Sequence, residues 1–218
     1  MSRYYRDTSR KKCDMNGVHT AYESIRVIDS FMPLGGAEAL REIGLAADYL
    51  EIEYDDDRFP SISVCGDEVS SMMEPALRLA TGHDVEILHS FYKMSGELVH
   101  AGDNHDFAVH WDEEVAPYTA VLHLNQAPYA VGGTGFWRHV PTGWTSVKEL
   151  SAHGATMEQL RSDSTESLAW ELHTLVGSQW NRLSIYRSDL IHSQWPLRGY
   201  GSTKETSRLS WVCFFIMP

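Results

Sequence analysis

The chain has 218 residues, 43% hydrophobic and 22% charged, with a formal net charge of -12. This is the composition of one ordinary globular domain, long enough to bury a core without staples, and its acidity disfavours nucleic acid and anionic membranes, which need a basic face to displace counterions. No apolar run reaches eighteen residues and no apolar block follows a basic N-terminus, so we expect neither a membrane span nor a secretion signal, and a cytoplasmic location.

Taken in order, residues 1–20 are polar and aperiodic and read as a flexible N-terminus, its basic patch Arg10, Lys11 and Lys12 a solvated tail. Residues 21–218 read as a single domain. The run SIRVIDSF over 24–31 has strand character and ends at Pro33, Gly35 and Gly36. Helical support is expected over 35–82. A first amphipathic helix over 37–50 carries Leu40, Ile43, Leu45, Ala46 and Leu50, and a second, from about 68 to 80, turns Met72, Met73, Leu77 and Leu79 inward.

From residue 84 the pattern changes to short β-like runs separated by Gly, Pro, Asn and Asp: VEILHSFYKM, FAVHW, YTAVLHLN, GTGFWRHV, NRLSIYRSDLIHS and RLSWVCFFIM. Helices followed by a run of strands predict a mainly β fold with flanking helices, a double-stranded β-helix (jelly roll, cupin-like) over 84–218. A helical insert over 145–180 interrupts it, with Leu168, Trp170, Leu172, Leu175 and Val176 as one packed face. It is read either as a lid over the site or as a prop on the outer sheet face.

The chemistry concentrates in two places. His110 and Asp112 are two apart, so on an extended chain both point to one side and Trp111 to the other. His192 closes the strand rich in Leu, Ile and Tyr. Two imidazoles and one carboxylate that converge form the facial triad of a non-haem iron(II) centre, with positions left open for ligands. With 11 histidines and 30 acids in the chain, about 1.5 His-x-Asp/Glu patterns are expected by chance, so the pair alone shows nothing. Near the C-terminus Arg208 and Ser210 share a strand face, and a guanidinium beside a hydroxyl suits a carboxylate. Cys13, Cys65 and Cys213 are scattered without a CxxC pair, which argues against a disulfide framework or a zinc knot; Cys213 reads as a core residue.

These pieces stand in a familiar order. ILHSFYKMSG, HWD, VLHLN with GGTGFW, NRLSIYRSDLIH and RLSWVCFF together resemble the core of the iron(II)- and 2-oxoglutarate-dependent oxygenases, prolyl-hydroxylase-like branch. The resemblance covers roughly the C-terminal 60% of the chain. It implies a hydroxylase that couples decarboxylation of 2-oxoglutarate to succinate and CO2 with O2-dependent oxidation of an unactivated C–H bond. The iron ligands would be His110, Asp112 and His192, and Arg208 and Ser210 would hold the distal carboxylate of 2-oxoglutarate. Tyr92 stands where a co-substrate-binding tyrosine is found, and His123 where a second one often is; Asn125 is a weaker candidate. Retention of Asp112 points away from the related halogenases. The separation of sixteen residues between His192 and Arg208 is longer than in the prolyl-hydroxylase branch and leaves that loop open.

His100, His105 and His139 read as loop or rim residues, and Trp111, Trp137, Arg138 and Trp195 as either mouth or packing. The expected partner is a small molecule, amino acid or peptide. Two other classes share such a fold: a cupin-like metal hydrolase, isomerase or lyase using the same triad, and a non-catalytic binding module. The first has no need of the Arg-x-Ser pair, and the second has no reason to keep two histidines and an aspartate convergent.

Overall fold

The computed structural model describes residues 25–54, 57–96, 109–149, 157–197 and 199–217. Two antiparallel sheets face each other. The larger has the order β1-β8-β5-β10-β4-β3-β2, from β1 (Arg26–Ile28), β2 (Leu50–Tyr54), β3 (Asp57–Val64), β4 (Glu86–Ser95), β5 (Tyr118–His123), β8 (Arg182–Arg187) and β10 (Arg208–Ile216). The smaller has the order β7-β6-β9, from β6 (Gly133–His139), β7 (Trp170–Gly177) and β9 (His192–Trp195). The expected jelly roll is the observed architecture.

Strand alternation divides the core. On β10, Leu209, Trp211, Cys213 and Phe215 point to one side, where they pack with Leu122 of β5 and Leu183 of β8. Against that face lie α1 (Leu34–Ala46) and α2 (Asp67–Thr81), through Ala37, Leu40, Met73 and Leu77. The helix approaches closely: a Cβ on Gly44 would come within 2.9 Å of the Tyr92 ring. Leu79, expected inside α2, is exposed, because it falls on the opposite face from Met73 and Leu77. Helix α2 ends at Gly82 in the left-handed conformation (φ 75°), its N–H returning to Arg78 O. The alternate residues of β10, with Val121 and Tyr186, face Phe136 and Val176 of the smaller sheet and form the barrel interior.

The helical support expected over 35–82 is interrupted: α1 stops at Ala46, Leu50 lies exposed on β2 instead of inside a helix, and β2 and β3 separate the two helices. Two further sequence expectations are corrected. The segment read as helical around Trp170 is strand β7, paired along β6 from Gly133↔Gly177 to His139↔Trp170. The residues taken for a helical face are split by a β-bulge at His173, where the register to β6 shifts between Phe136 and Trp137: Val176 enters the barrel, Trp170 and Leu172 face outward, and Leu168 is exposed. Helix within 145–180 is confined, among the described residues, to 3-10 turns at Val147–Glu149 and Ser167–Ala169 and to α3 (Met157–Asp163). The insert acts as a prop. Trp144, Val147 and Leu160 pack with Trp137 and Trp170 on the outer face of the smaller sheet, and buried His139 joins Asp163 through Nε2 (3.0 Å) and Thr142 through Nδ1 (2.8 Å).

Second, His192 does not close β8. The chain turns at Ser188–Leu190 and changes sheet, and His192 opens β9. Asp189 holds the turn, receiving Arg187 Nε at 2.7 Å and the Ser146 hydroxyl. Burial opposes its charge, but the Arg187 and Ser146 hydrogen bonds outweigh that and keep the carboxyl below the usual range. The N-terminus with Cys13, and the loop histidines His100 and His105, lie outside the described residues. Among the described residues no helix is long and apolar enough to cross a membrane.

Candidate metal centre and anion pocket

His110, Asp112 and His192 each offer a ligand atom within 4.8 Å of the others. Their convergence comes from backbone pairing. His110 N–H donates to His192 O (2.9 Å) and His192 N–H to His110 O (2.8 Å), so the two histidines form a reciprocal antiparallel bridge. Asp112 N–H bonds Ser188 O (2.8 Å), and Val109 N–H bonds Ser164 O (3.1 Å), tying the segment between the β8–β9 turn and the prop. The imidazole rings lie 4.5 Å apart. His192 is buried and Asp112 nearly so, whereas the His110 side chain is 48% exposed and marks the mouth.

The His192 ring is oriented from behind. Its Nδ1 lies 2.9 Å from the carbonyl of Leu190, which can only accept, so Nδ1 carries the proton and Nε2 presents its lone pair. That lone pair faces Asp112 Oδ2 at 3.1 Å. Two acceptors at this separation repel unless a cation stands between them, and the two oxygens and two nitrogens are the donor set of a first-row divalent metal. Burial pushes the Asp112 carboxyl upward; where no cation separates them and the imidazoles are themselves protonated, His192 and then His110 overcome it and hold the carboxyl below the usual range.

Across the interior, Arg208 is buried (4% exposed) on β10. Nη1 donates to Ser210 Oγ (3.2 Å), Nε has no partner, and among the described residues no carboxylate pairs with it. Burial lowers its pKa, which the neighbouring Tyr200 and Tyr186 only partly oppose. His123 lies directly opposite Ser210 on β5, fully buried, with neither ring nitrogen bonded. Burial, with Arg208 and Arg182 nearby, lowers its pKa to about 3 and keeps it neutral. A buried guanidinium without a counter-charge costs several kcal/mol, and an anion is its natural complement, with an imidazole N–H as a further donor.

Tyr92 is not part of this group. It lies opposite Trp211, in the helix-side core, and its hydroxyl has no partner there. The strand was recognised, but which of its faces is inner is set by pairing to β10. Lys93, its neighbour, occupies the inward rung opposite Ser210. Asn125 is structural: Oδ1 accepts from Leu209 N–H and Nδ2 donates to Ser207 O, both at 2.7 Å. Trp137 and Trp195 pack together outside the smaller sheet, Trp111 joins that cluster, and Arg138 pairs with Glu171 on the surface. Burial pushes the Cys213 thiol up, as suits a core residue. Sequence reasoning missed Tyr186, whose ring edge meets His192 (centroids 4.9 Å, 65°) and Phe136 (5.0 Å, 87°). Its signal was the alternation in LSIY, which places Ser184 and Tyr186 opposite to Leu183 and Ile185.

The fold is the double-stranded β-helix found in 2-oxoglutarate-dependent enzymes. A non-haem alpha-ketoglutarate-dependent carbocyclase of nogalamycin biosynthesis, SnoK, superposes with a TM-score of 0.53 at 12% identity, over 88% of this chain and 79% of its own. HygX from Streptomyces hygroscopicus, solved with nickel, 2-oxoglutarate and hygromycin B bound, gives 0.50 at 13% identity, over 88% and 82%. A Pseudomonas putida prolyl-4-hydroxylase gives 0.45 at 13% identity, over 89% and 93%, a likeness too loose to assign the branch. By sequence, residues 11–215 match the family of unknown function DUF6445, and the chain belongs to that family. No curated protein matches it significantly.

Proposed function

We infer that the protein is an iron(II)- and 2-oxoglutarate-dependent oxygenase that oxidises an unactivated C–H bond of a small molecule, amino acid or peptide, with hydroxylation as the expected outcome. The observation that carries this reading is the pairing of two unmet demands in one interior: a lone pair of His192 aimed at Asp112, which asks for a cation, and a buried Arg208 without a carboxylate, which asks for an anion. A 2-oxo dicarboxylate is the ligand class that meets a metal at one end and a guanidinium at the other.

His110, Asp112 and His192 would hold the iron, and the iron with 2-oxoglutarate and O2 would supply the oxidant. The chain itself does the positioning. Leu190 fixes the tautomer of His192, the reciprocal bridge fixes its separation from His110, and Ser188 anchors Asp112. Arg208, Ser210 and His123 would receive the distal carboxylate, and Val121, Phe136, Val176 and Val212 keep the interior between the two ends dry. Exposed His110 puts the substrate on the solvent side. A small-molecule substrate is in keeping with HygX, solved with hygromycin B, and oxidations other than hydroxylation are within reach of the fold, since SnoK is a carbocyclase.

A cupin-like hydrolase, isomerase or lyase could use the same triad, but it would leave Arg208 buried for nothing. The deciding experiment is anaerobic loading with Fe(II), followed by 2-oxoglutarate and air. Succinate above the protein-free control is expected even without prime substrate, and its absence together with failure to bind 2-oxoglutarate would remove this reading.

A further inference from the structure

His139 ends β6 on the outer face of the smaller sheet, fully buried, with its ring centroid 4.7 Å from that of Trp170. Both ring nitrogens are engaged: Nε2 lies 3.0 Å from Asp163 Oδ2, and Nδ1 lies 2.8 Å from the Thr142 hydroxyl. An ionised carboxylate can only accept, so Nε2 carries the proton and directs it at the last residue of α3. The Asp163 carbonyl in turn accepts the Trp170 indole N–H at 2.7 Å. Asp163 is thus fastened to β6 by its side chain and to β7 by its backbone.

What this fastening holds leads to the metal centre. Ser164, the next residue, receives Val109 N–H at 3.1 Å, immediately before His110. His110 meets His192 in an isolated bridge and not in a strand ladder, and its side chain is the most exposed of the three ligands. A second link from the prop to this segment, Arg161 with Glu114, joins two mostly exposed side chains and contributes little.

We propose that His139 is a positioning residue for the metal centre, fixing through Asp163 and Ser164 where His110 stands relative to Asp112 and His192. The other two ligands are anchored from elsewhere, Asp112 by Ser188 and His192 by Leu190, so the pair governs one ligand of three. This rests on the metal-binding part of the oxygenase reading and is independent of 2-oxoglutarate.

The test uses the full chain loaded with Cu(II), its coordinated imidazoles counted by electron spin-echo envelope modulation. The parent should show two. His139→Phe keeps a ring against Trp170 but cannot donate to Asp163; the count should fall to one, and Cu(II) affinity about tenfold. Asp163→Ala removes the same bond from its partly exposed end and should give the same result. His139→Gln, whose amide can donate to Asp163, should restore two. Leu77→Ala, in the helix-side core, loses stability through packing alone and should keep two. Two imidazoles in either His139→Phe or Asp163→Ala would overturn the assignment. So would a fall to one in Leu77→Ala, which would make ligand loss a general consequence of lost stability. A parent that binds Cu(II) without two imidazoles would remove the metal centre itself, a failure distinct from the other two.

Discussion

At Arg208 the balance of burial against charge decides what a substitution does. The guanidinium is inside, its hydrogen bond to Ser210 is neutral, and no carboxylate among the described residues compensates it. Replacing a buried, unmatched charge with an apolar side chain of similar volume is neutral or stabilising. Arg208→Met is therefore expected to unfold in urea at no lower a midpoint than the parent when both are ligand-free, yet to lose about a hundredfold in 2-oxoglutarate affinity with metal affinity kept. A large loss of stability in this variant would mean that Arg208 serves the fold and not a ligand.

His123 gives a second prediction at the same scale. Its folded pKa of about 3 is far below the unfolded value of 6.5, so between those pH values the unfolded chain binds a proton that the folded chain refuses, and stability falls as the pH is lowered. Between pH 6.5 and 5 this one group should cost about 2 kcal/mol. Urea unfolding of the parent and of His123→Gln at both pH values isolates it: the variant should show that much less acid sensitivity, and equal sensitivity would contradict a buried neutral imidazole.

Among the elements, β10 carries most of the organisation. It is central in the larger sheet, and its alternation sends Leu209, Trp211, Cys213 and Phe215 to the helices and Arg208, Ser210 and Val212 to the interior. Asn125 pins its beginning by serving Leu209 N–H and Ser207 O at once. Asn125→Ala leaves two buried backbone groups unpaired and should cost about 2–4 kcal/mol of unfolding free energy. Because the pinned residues flank Arg208, 2-oxoglutarate affinity should fall as well. A loss below about 0.5 kcal/mol would show that water replaces the amide.

This element was also the most legible in the sequence, since RLSWVCFF alternates cleanly and its polar positions are few. WELHTLV was not. Its apolar residues satisfy helical and extended spacing alike, and β6 supplies the hydrogen bonds that settle it as a strand. Tyr92 failed for a related reason. Alternation says that Tyr92 and Lys93 point apart, but only the register with Trp211 and Ser210 says which points inward.

For the molecule as a whole, a ligand that binds only the folded state adds stability in proportion to its affinity. At a hundredfold excess over Kd the gain is about 2.7 kcal/mol, or roughly 5–10 °C in the melting temperature of a chain this size. Ni(II) should raise the melting temperature of the chelator-treated protein by that order, 2-oxoglutarate should add to it only when metal is present, and His192→Ala should abolish both. A shift by 2-oxoglutarate without metal would place its site away from the triad.

The chain's own order of residues determined the strands β4, β5, β6, β8 and β10, the two helices before the barrel, and the presence of a His-x-Asp pair, a distant histidine and an Arg-x-Ser pair, because alternation and helical periodicity are local properties. Tertiary structure alone decided that His192 changes sheets to meet His110, that the insert is a prop, that Tyr92 faces the helices, and that the Tyr186 ring packs against His192. Each of those outcomes depends on which strand lies beside which. Pairing between segments far apart in sequence is fixed by the burial they achieve together, which no single segment encodes.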